Sequence, residues 1–240
     1  MPRILITGAS RGIGLALTKE YSARGWDVLA ACRTPDQAEA LQALASQPNG
    51  NVTAHRLDVV DHGSIDALAE TLAGTPIDVV CNNAGIGGGP AAQAGAQWGA
   101  QSGGVDFERW RLVLETNLLG AMKTALAFLP HVEAGAQKKI VSISSSLGSI
   151  SATRGGNYAY RSSKAALNMA MRSLAMDLKK HGIIVGLLSP GIVDTDFTRG
   201  ARVEKISAEE SARGLAGIID ALTLEQSGDF IRHSGETVPW

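Results

Sequence analysis

The sequence predicts an α/β fold, a doubly wound parallel sheet with helices on both faces. Short aliphatic or β-branched runs alternate with longer stretches whose apolar residues fall three and four apart, the rhythm of strand–helix–strand units. Several runs are almost continuously apolar, as strands covered on both faces must be. The first run leads straight into Thr7 to Gly14, TGASRGIG, a glycine-rich segment where a strand would turn into a helix. With 240 residues, 45% hydrophobic and 19% charged, the chain can bury a large core, so one domain over 1–240 is expected and general disorder is excluded.

Strands are expected at Ile4 to Thr7, Val28 to Cys32, Val52 to Leu57, Ile77 to Asn82, Ile140 to Ser144 and Ile183 to Ser189. The stretches at roughly 14–24, 64–73, 106–129 and 157–180 read as amphipathic crossover helices. Ser207-Ala-Glu-Glu210 has the pattern of a capping box and opens a last helix to about Leu222, ahead of a short strand at Phe230-Ile231. Residues 85–104, GIGGGPAAQAGAQWGAQSGG, can build little core. They follow the fourth strand and so leave the carboxyl edge of the sheet, where open α/β sheets bind ligands; a lid and a surface insertion are both compatible with them.

Charge and cysteine usage exclude several classes. The balance of 22 Lys+Arg against 23 Asp+Glu carries no electrostatic signature of nucleic-acid or membrane binding. Cys32 and Cys81 lie in apolar runs and read as buried free thiols, which fits a reducing compartment. The opening MPRILITGAS lacks the apolar stretch of a signal peptide, so a cytoplasmic protein is expected. No two of the five histidines stand at metal-ligand spacing, so no metal site is expected.

Chemistry is suggested by four segments. In TGASRGIG, glycines let the backbone turn tightly and approach a pyrophosphate, whose charge the N–H groups at a helix N-terminus stabilise; a tight connection is the plain alternative. Asn82-Asn83-Ala84-Gly85 ends the fourth strand, and Pro190-Gly191-Ile192-Val193-Asp194-Thr195 follows the sixth. Tyr160 and Lys164 stand four apart in a helical segment and so share a face, as an ordinary surface pair would also do. A neighbouring ammonium favours the phenolate, which predicts a Tyr160 pKa brought down toward neutral pH. Tyr158 has only Ser162 at the same spacing.

In these segments and their order across residues 4–195 the chain resembles the short-chain dehydrogenases/reductases. Residues 144–169 and the terminal GETVPW resemble the C-factor-like group, which includes the Sniffer-type carbonyl reductases. The resemblance implies a Rossmann-type NADP(H)-binding domain that reduces an aldehyde, ketone or quinone to the alcohol. It implies cofactor contacts from Gly8, Ser10, Arg11, Gly12, Ile13 and Gly14 and from Asp58 and Val59 beside the adenine. Asn83, Ala84 and Gly85 join them, as do Tyr160, Lys164, Pro190, Gly191, Ile192 and Thr195 toward the nicotinamide. The implied catalytic set is Asn117, Ser145, Tyr160 and Lys164, with Tyr160 as the proton donor. A bare Asp58 at a strand end is otherwise a turn residue, and a mid-helix Asn117 a buried polar group bonded to backbone.

The phosphate end follows from charge. An NAD site places an acid at the end of the second strand, which would repel a 2′-phosphate. Here that strand ends in Cys32 followed by Arg33, and Arg11 lies within reach in the glycine turn, so NADP(H) is expected.

Ser144, Ser145 and Ser146 crowd the end of the fifth strand, and the family's usual gap of thirteen residues before the tyrosine lands on Leu147. Aligning Ile143-Ser144-Ser145 with the family's strand end makes Ser145 the carbonyl donor, with two extra residues in the turn from Ser149 to Asn157. Ser144 is then structural and Ser146 the reserve. A rival expectation is an NADP(H)-binding signalling or sensor protein of C-factor type with little turnover. Apolar residues such as Leu167, Met171 and Leu174 exceed what one sheet face should need, and the resemblance implies that helices such as 106–129 and 157–180 pair across a two-fold axis, so a homodimer or homotetramer is expected.

Overall fold

A computed structural model describes residues 1–48, 50–87, 105–198 and 203–240. Its parallel strands are β1 (Arg3–Thr7), β2 (Asp27–Cys32), β3 (Val52–Arg56), β4 (Val79–Asn82), β5 (Lys139–Ile143), β6 (Ile184–Ser189) and β7 (Phe230–Arg232), arranged in the order β3-β2-β1-β4-β5-β6-β7. The chain builds outward from β1 to β3, then returns to place β4 on the other side of β1. The reversal opens a crevice between the carboxyl ends of β1 and β4, the position at which such sheets bind ligands.

Strand alternation divides the core between two faces. Ile4 and Ile6 point to one face with Val28 and Ala30, beneath α1 (Gly12–Ala23) and its neighbour Leu215 from the last helix. Leu5 points to the other, with Leu29, Val80, Ile140 and Phe128. Ile4, Leu5 and Ile6 are fully buried, and each such side chain contributes roughly 1.5–3 kcal/mol.

The remaining helices are α2 (Glu39–Ala45), α3 (His62–Thr71), α4 (Phe107–Leu114), α5 (Gly120–Ala127), α6 (Leu129–Ala134), α7 (Tyr158–Leu178) and α8 (Ala208–Ala221). Side-chain caps fix several starts, with Asp61 accepting from Ser64 N, Asp106 from Arg109 N and Ser207 from Glu210 N. Cys32 and Cys81 are buried free thiols. No described helix is long and apolar enough to cross a membrane.

The structure differs from the sequence expectation in three places. The helix expected over 106–129 is divided by a π turn at Glu115–Leu119 between α4 and α5. Helix α2, which has no side-chain cap, was not expected. Leu167, Met171 and Leu174 share one face of α7 and are buried in the chain's own core against the sheet, so they offer no surface to a second subunit. The segment 85–104, compatible with a lid or a surface insertion, lies from 88 onward outside the described residues.

Candidate active site

The end of β1 and the exit of β4 are joined by short polar contacts. The Thr7 hydroxyl accepts from Asn83 N and Ala84 N, both at 3.1 Å, and the Asn83 side-chain amide donates to the carbonyls of Thr7 (2.9 Å) and Gly8 (3.2 Å). The side chain of Asn83 therefore braces the glycine turn. Gly8 and Gly12 have φ of +69° and +54°, which only glycine adopts without strain. A Cβ on Gly8 would stand 2.9 Å from Ala84 Cα, and one on Gly14 would collide with the Gly8 carbonyl. Arg11 precedes α1 without capping it by its side chain, so the first N–H groups of the helix stay open to a ligand. This backbone cradle fits a pyrophosphate, with Ser10, Gly12 and Ile13 on its rim.

Arg33 is exposed just past β2, and Cys32 is buried beside it. Arg11 is also exposed, but its Nη1 lies 3.4 Å from Asp196 Oδ2, so a carboxylate from the loop after β6 shares this guanidinium. Asp58 Oδ1 accepts from Val60 N at 3.1 Å, an Asx turn that occupies one carboxylate oxygen. Val59 is buried, and its carbonyl lies against Gly120 with no room for a side chain there.

The catalytic candidates converge beyond β5. Ser144 is buried and donates to Asn168 Oδ1 at 2.5 Å. Ser146 N donates to Ser189 Oγ at 3.1 Å. Ser145, the first residue past Ser144, stands beside the Tyr160 phenol and favours its charged form, and its Oγ accepts from Leu147 N at 3.2 Å. Lys164 Nζ donates to the Ile143 carbonyl at 2.7 Å and lies 5.8 Å from the centre of the Tyr160 ring. Gly148 makes room for this helix, since a Cβ there would sit 2.9 Å from Lys164 Cβ.

Electrostatics here run against the sequence expectation for Tyr160. Burial pushes its phenol up to about 12, opposed by the neighbouring Ser145. Burial lowers Lys164 to about 8. The ammonium faces the ring and a backbone carbonyl instead of the phenol oxygen, so it does not offset the loss of water around Tyr160.

Asn117 sits in the π turn, a feature frequent at functional sites. Its amide nitrogen donates to the Ile86 carbonyl (2.9 Å) and to Ser163 Oγ (3.0 Å), and its Oδ1 accepts from Ile86 N (2.8 Å). The side chain thus fixes the exit of β4. It does not bond Lys164 directly, although a Cβ on Gly85 would stand 3.3 Å from Asn117 Oδ1 and 3.8 Å from Lys164 Nζ.

On the far side, Gly191 takes φ +83° after Pro190, whose carbonyl accepts from Ser211 Oγ at 2.7 Å. Ile192 is exposed, and Thr195 lies against Gly12, so this loop meets the glycine turn across the crevice. The 3-10 turn Asp196–Thr198 then places the Phe197 ring 5.2 Å from that of Tyr160. Phe197, Ser163, Asn168 and Arg109 were not singled out from the sequence. Their partners lie far along the chain, and no spacing rule marks them.

A family model for the short chain dehydrogenase matches residues 2–205. C-signal of Myxococcus xanthus is 40% identical over 175 residues, covering 72% of this chain and 99% of its own. The 1-hydroxy-2-glutathionyl-2-methyl-3-butene dehydrogenase of Rhodococcus sp. (strain AD45) is 35% identical over 245 residues, covering 100% of both chains. Among solved structures, an NADPH-bound carbonyl reductase from chicken fatty liver matches with a TM-score of 0.86 at 32% identity, over 100% of this chain and 99% of that one. The carbonyl reductase Sniffer of D. melanogaster matches at 0.85 and 31%, over 100% of each chain.

Proposed function

The chain belongs to the short-chain dehydrogenases/reductases, and from that premise we propose that it reduces a carbonyl compound, an aldehyde, ketone or quinone, to the alcohol with NADPH. The observation that carries this reading is the meeting of Ser145, at the carboxyl end of β5, with buried Tyr160. A phenol that keeps its proton at neutral pH has one to give to a carbonyl oxygen.

NADPH, when bound, supplies the hydride. Gly8, Ser10, Gly12, Ile13 and Gly14 would hold the pyrophosphate, Arg33 with Arg11 the 2′-phosphate, and Asp58 and Val59 the adenine end. Ala84, Gly85, Pro190, Gly191, Ile192 and Thr195 would line the nicotinamide end, with Asn83 bracing the turn. The Ser145 hydroxyl donates to the substrate oxygen and holds it beside the Tyr160 phenol, which releases its proton as negative charge develops there. Lys164 would hold the ribose, and Asn117 keeps the β4 exit in place below it. NADPH oxidation followed with a panel of aldehydes, ketones and quinones tests the reading; cofactor binding without turnover of any of them overturns it.

The 40% identity to C-signal favours a second reading, an NADP(H)-binding sensor with little turnover. That reading leaves the Ser145, Tyr160 and Lys164 cluster without a use. We also propose a cytoplasmic homodimer or homotetramer, supported by exposed Phe107, Leu112, Leu126, Met169 and Met176 on α4, α5 and α7. A monomeric mass by light scattering at micromolar concentration overturns the assembly.

A further inference from the structure

Tyr160 is only 8% exposed, and Phe197 stands beside it with the ring centres 5.2 Å apart. The two ring planes are tilted by 56°, at a separation that aromatic pairs favour. Phe197 itself remains 43% exposed, so part of its side chain is open to a further contact. Its position is set from both sides. Thr198 Oγ1 donates to the Val193 carbonyl at 2.5 Å and accepts from Thr195 N at 3.3 Å, which closes the turn that carries the ring. The ring also rests on Gly87, where an added Cβ would stand 3.3 Å from Phe197 Cζ. Arg109 holds that glycine through two N–H groups on its carbonyl, at 3.1 and 2.6 Å.

A substrate oxygen at the Tyr160 hydroxyl would lie close to this ring. We propose that Phe197 determines the substrate class: its ring is the wall against which the reacting compound lies, and it selects flat conjugated carbonyl compounds over puckered aliphatic ones of the same size. The argument is one of exchange. Entry of any substrate disturbs the contact between Phe197 and Tyr160. A flat aromatic substrate replaces it with a new ring contact on Phe197, whereas an aliphatic one returns only ordinary apolar contact. The inference deepens the reductase reading and rests on it for the identity of the reacting group.

The test compares benzaldehyde with cyclohexanecarbaldehyde, equal in ring size but one flat and one puckered. Conjugation lowers the intrinsic reactivity of benzaldehyde, so the readout is how the ratio of kcat/KM values changes between variants at saturating NADPH. Phe197→Leu is expected to lower the benzaldehyde preference about two- to tenfold, the range spanned by an aromatic pair, and Phe197→Tyr to keep it. An unchanged ratio in Phe197→Leu overturns the proposal. A second arm needs no turnover: benzyl alcohol and cyclohexylmethanol are titrated onto the protein loaded with NADP+ and followed by saturation-transfer NMR. Tighter binding of benzyl alcohol, lost in Phe197→Leu, supports the assignment even if neither aldehyde is reduced, an outcome that would remove the reductase reading alone. Equal affinity for the two alcohols, or no binding of either, overturns the role of Phe197.

Discussion

Around the glycine turn the contacts are made by backbone: Gly8 against Ala84, Gly14 against the Gly8 carbonyl, and main-chain N–H groups of Asn83 and Ala84 on the Thr7 hydroxyl. Around Tyr160 they are made by side chains from separate segments, Ser145 after β5 and Phe197 after β6. The first region leaves no space for change, because the clashing atoms belong to the main chain and cannot rotate away. In the second, single groups can be removed while the frame stands. Substitutions in the first region should therefore cost binding and folding together, and those in the second should cost chemistry alone.

Gly14→Ala gives the severest test of the backbone region. Its Cβ meets the Gly8 carbonyl and the Asn83 amide, so cofactor binding followed by fluorescence titration should be abolished, with about 1–3 kcal/mol of stability lost to overpacking. Normal affinity would mean that the turn adapts and the contrast fails. In the side-chain region, Ser145→Ala should remove about 2.7–4 kcal/mol of transition-state stabilisation, and Tyr160→Phe should lower kcat by roughly two or more orders of magnitude, both with NADPH binding intact. Ser144→Ala should instead cost about 1 kcal/mol, in stability, because Ser144 bonds Asn168. A larger fall in kcat at Ser144 or Ser146 than at Ser145 would move the donor.

Lys164 sharpens the comparison through pH. The folded protein releases its proton near 8, while the unfolded chain keeps it to about 10.5. Between those values unfolding takes up a proton, so the stability of the parent rises with pH there, by roughly 3 kcal/mol in all. Lys164→Met should flatten that rise in denaturant titrations; parallel curves would show that the amine is not desolvated as its burial implies. At Arg33 alanine should weaken NADPH by about 1.5–3 kcal/mol and leave NADH nearly unchanged. Equal losses for both cofactors would leave Arg11, shared with Asp196, as the phosphate contact.

The same contrast governs how much could be read from the sequence. Strands, most crossover helices and the glycine turn depend on local periodicity and on residues close in sequence, and apart from α2 and α6 they were legible within a few residues. The pairing of Tyr160 with Lys164 was legible because helix geometry fixes it. Phe197, Arg109 and the bond from Asn117 to Ser163 depend on segments that meet only once the sheet has formed. Leu167, Met171 and Leu174 misled for a related reason: they form one stripe of α7 that the sheet and the helices beside it bury within the chain, which spacing alone does not show. The Tyr160 pKa reversed direction because sequence spacing shows the neighbouring cation but not the loss of water, which here dominates.

The π turn at Glu115–Leu119 carries a further consequence, for insertions and deletions. A π turn holds one residue more than the regular helix around it. Deleting one residue there would let α4 run unbroken into α5 in its present phase, because the turn absorbs the surplus residue, so Ala121 and Ala125 would stay against the core while Asn117 would leave Ile86 and Ser163. The same deletion within α5 would instead rotate the residues beyond it by about 100°, the advance of one helical residue. An exchange of side chain at exposed Leu119 would do none of this. Along this stretch the spacing of the chain counts for more than the chemistry of most of its residues, so a one-residue deletion should damage the protein more than substitution at Leu119.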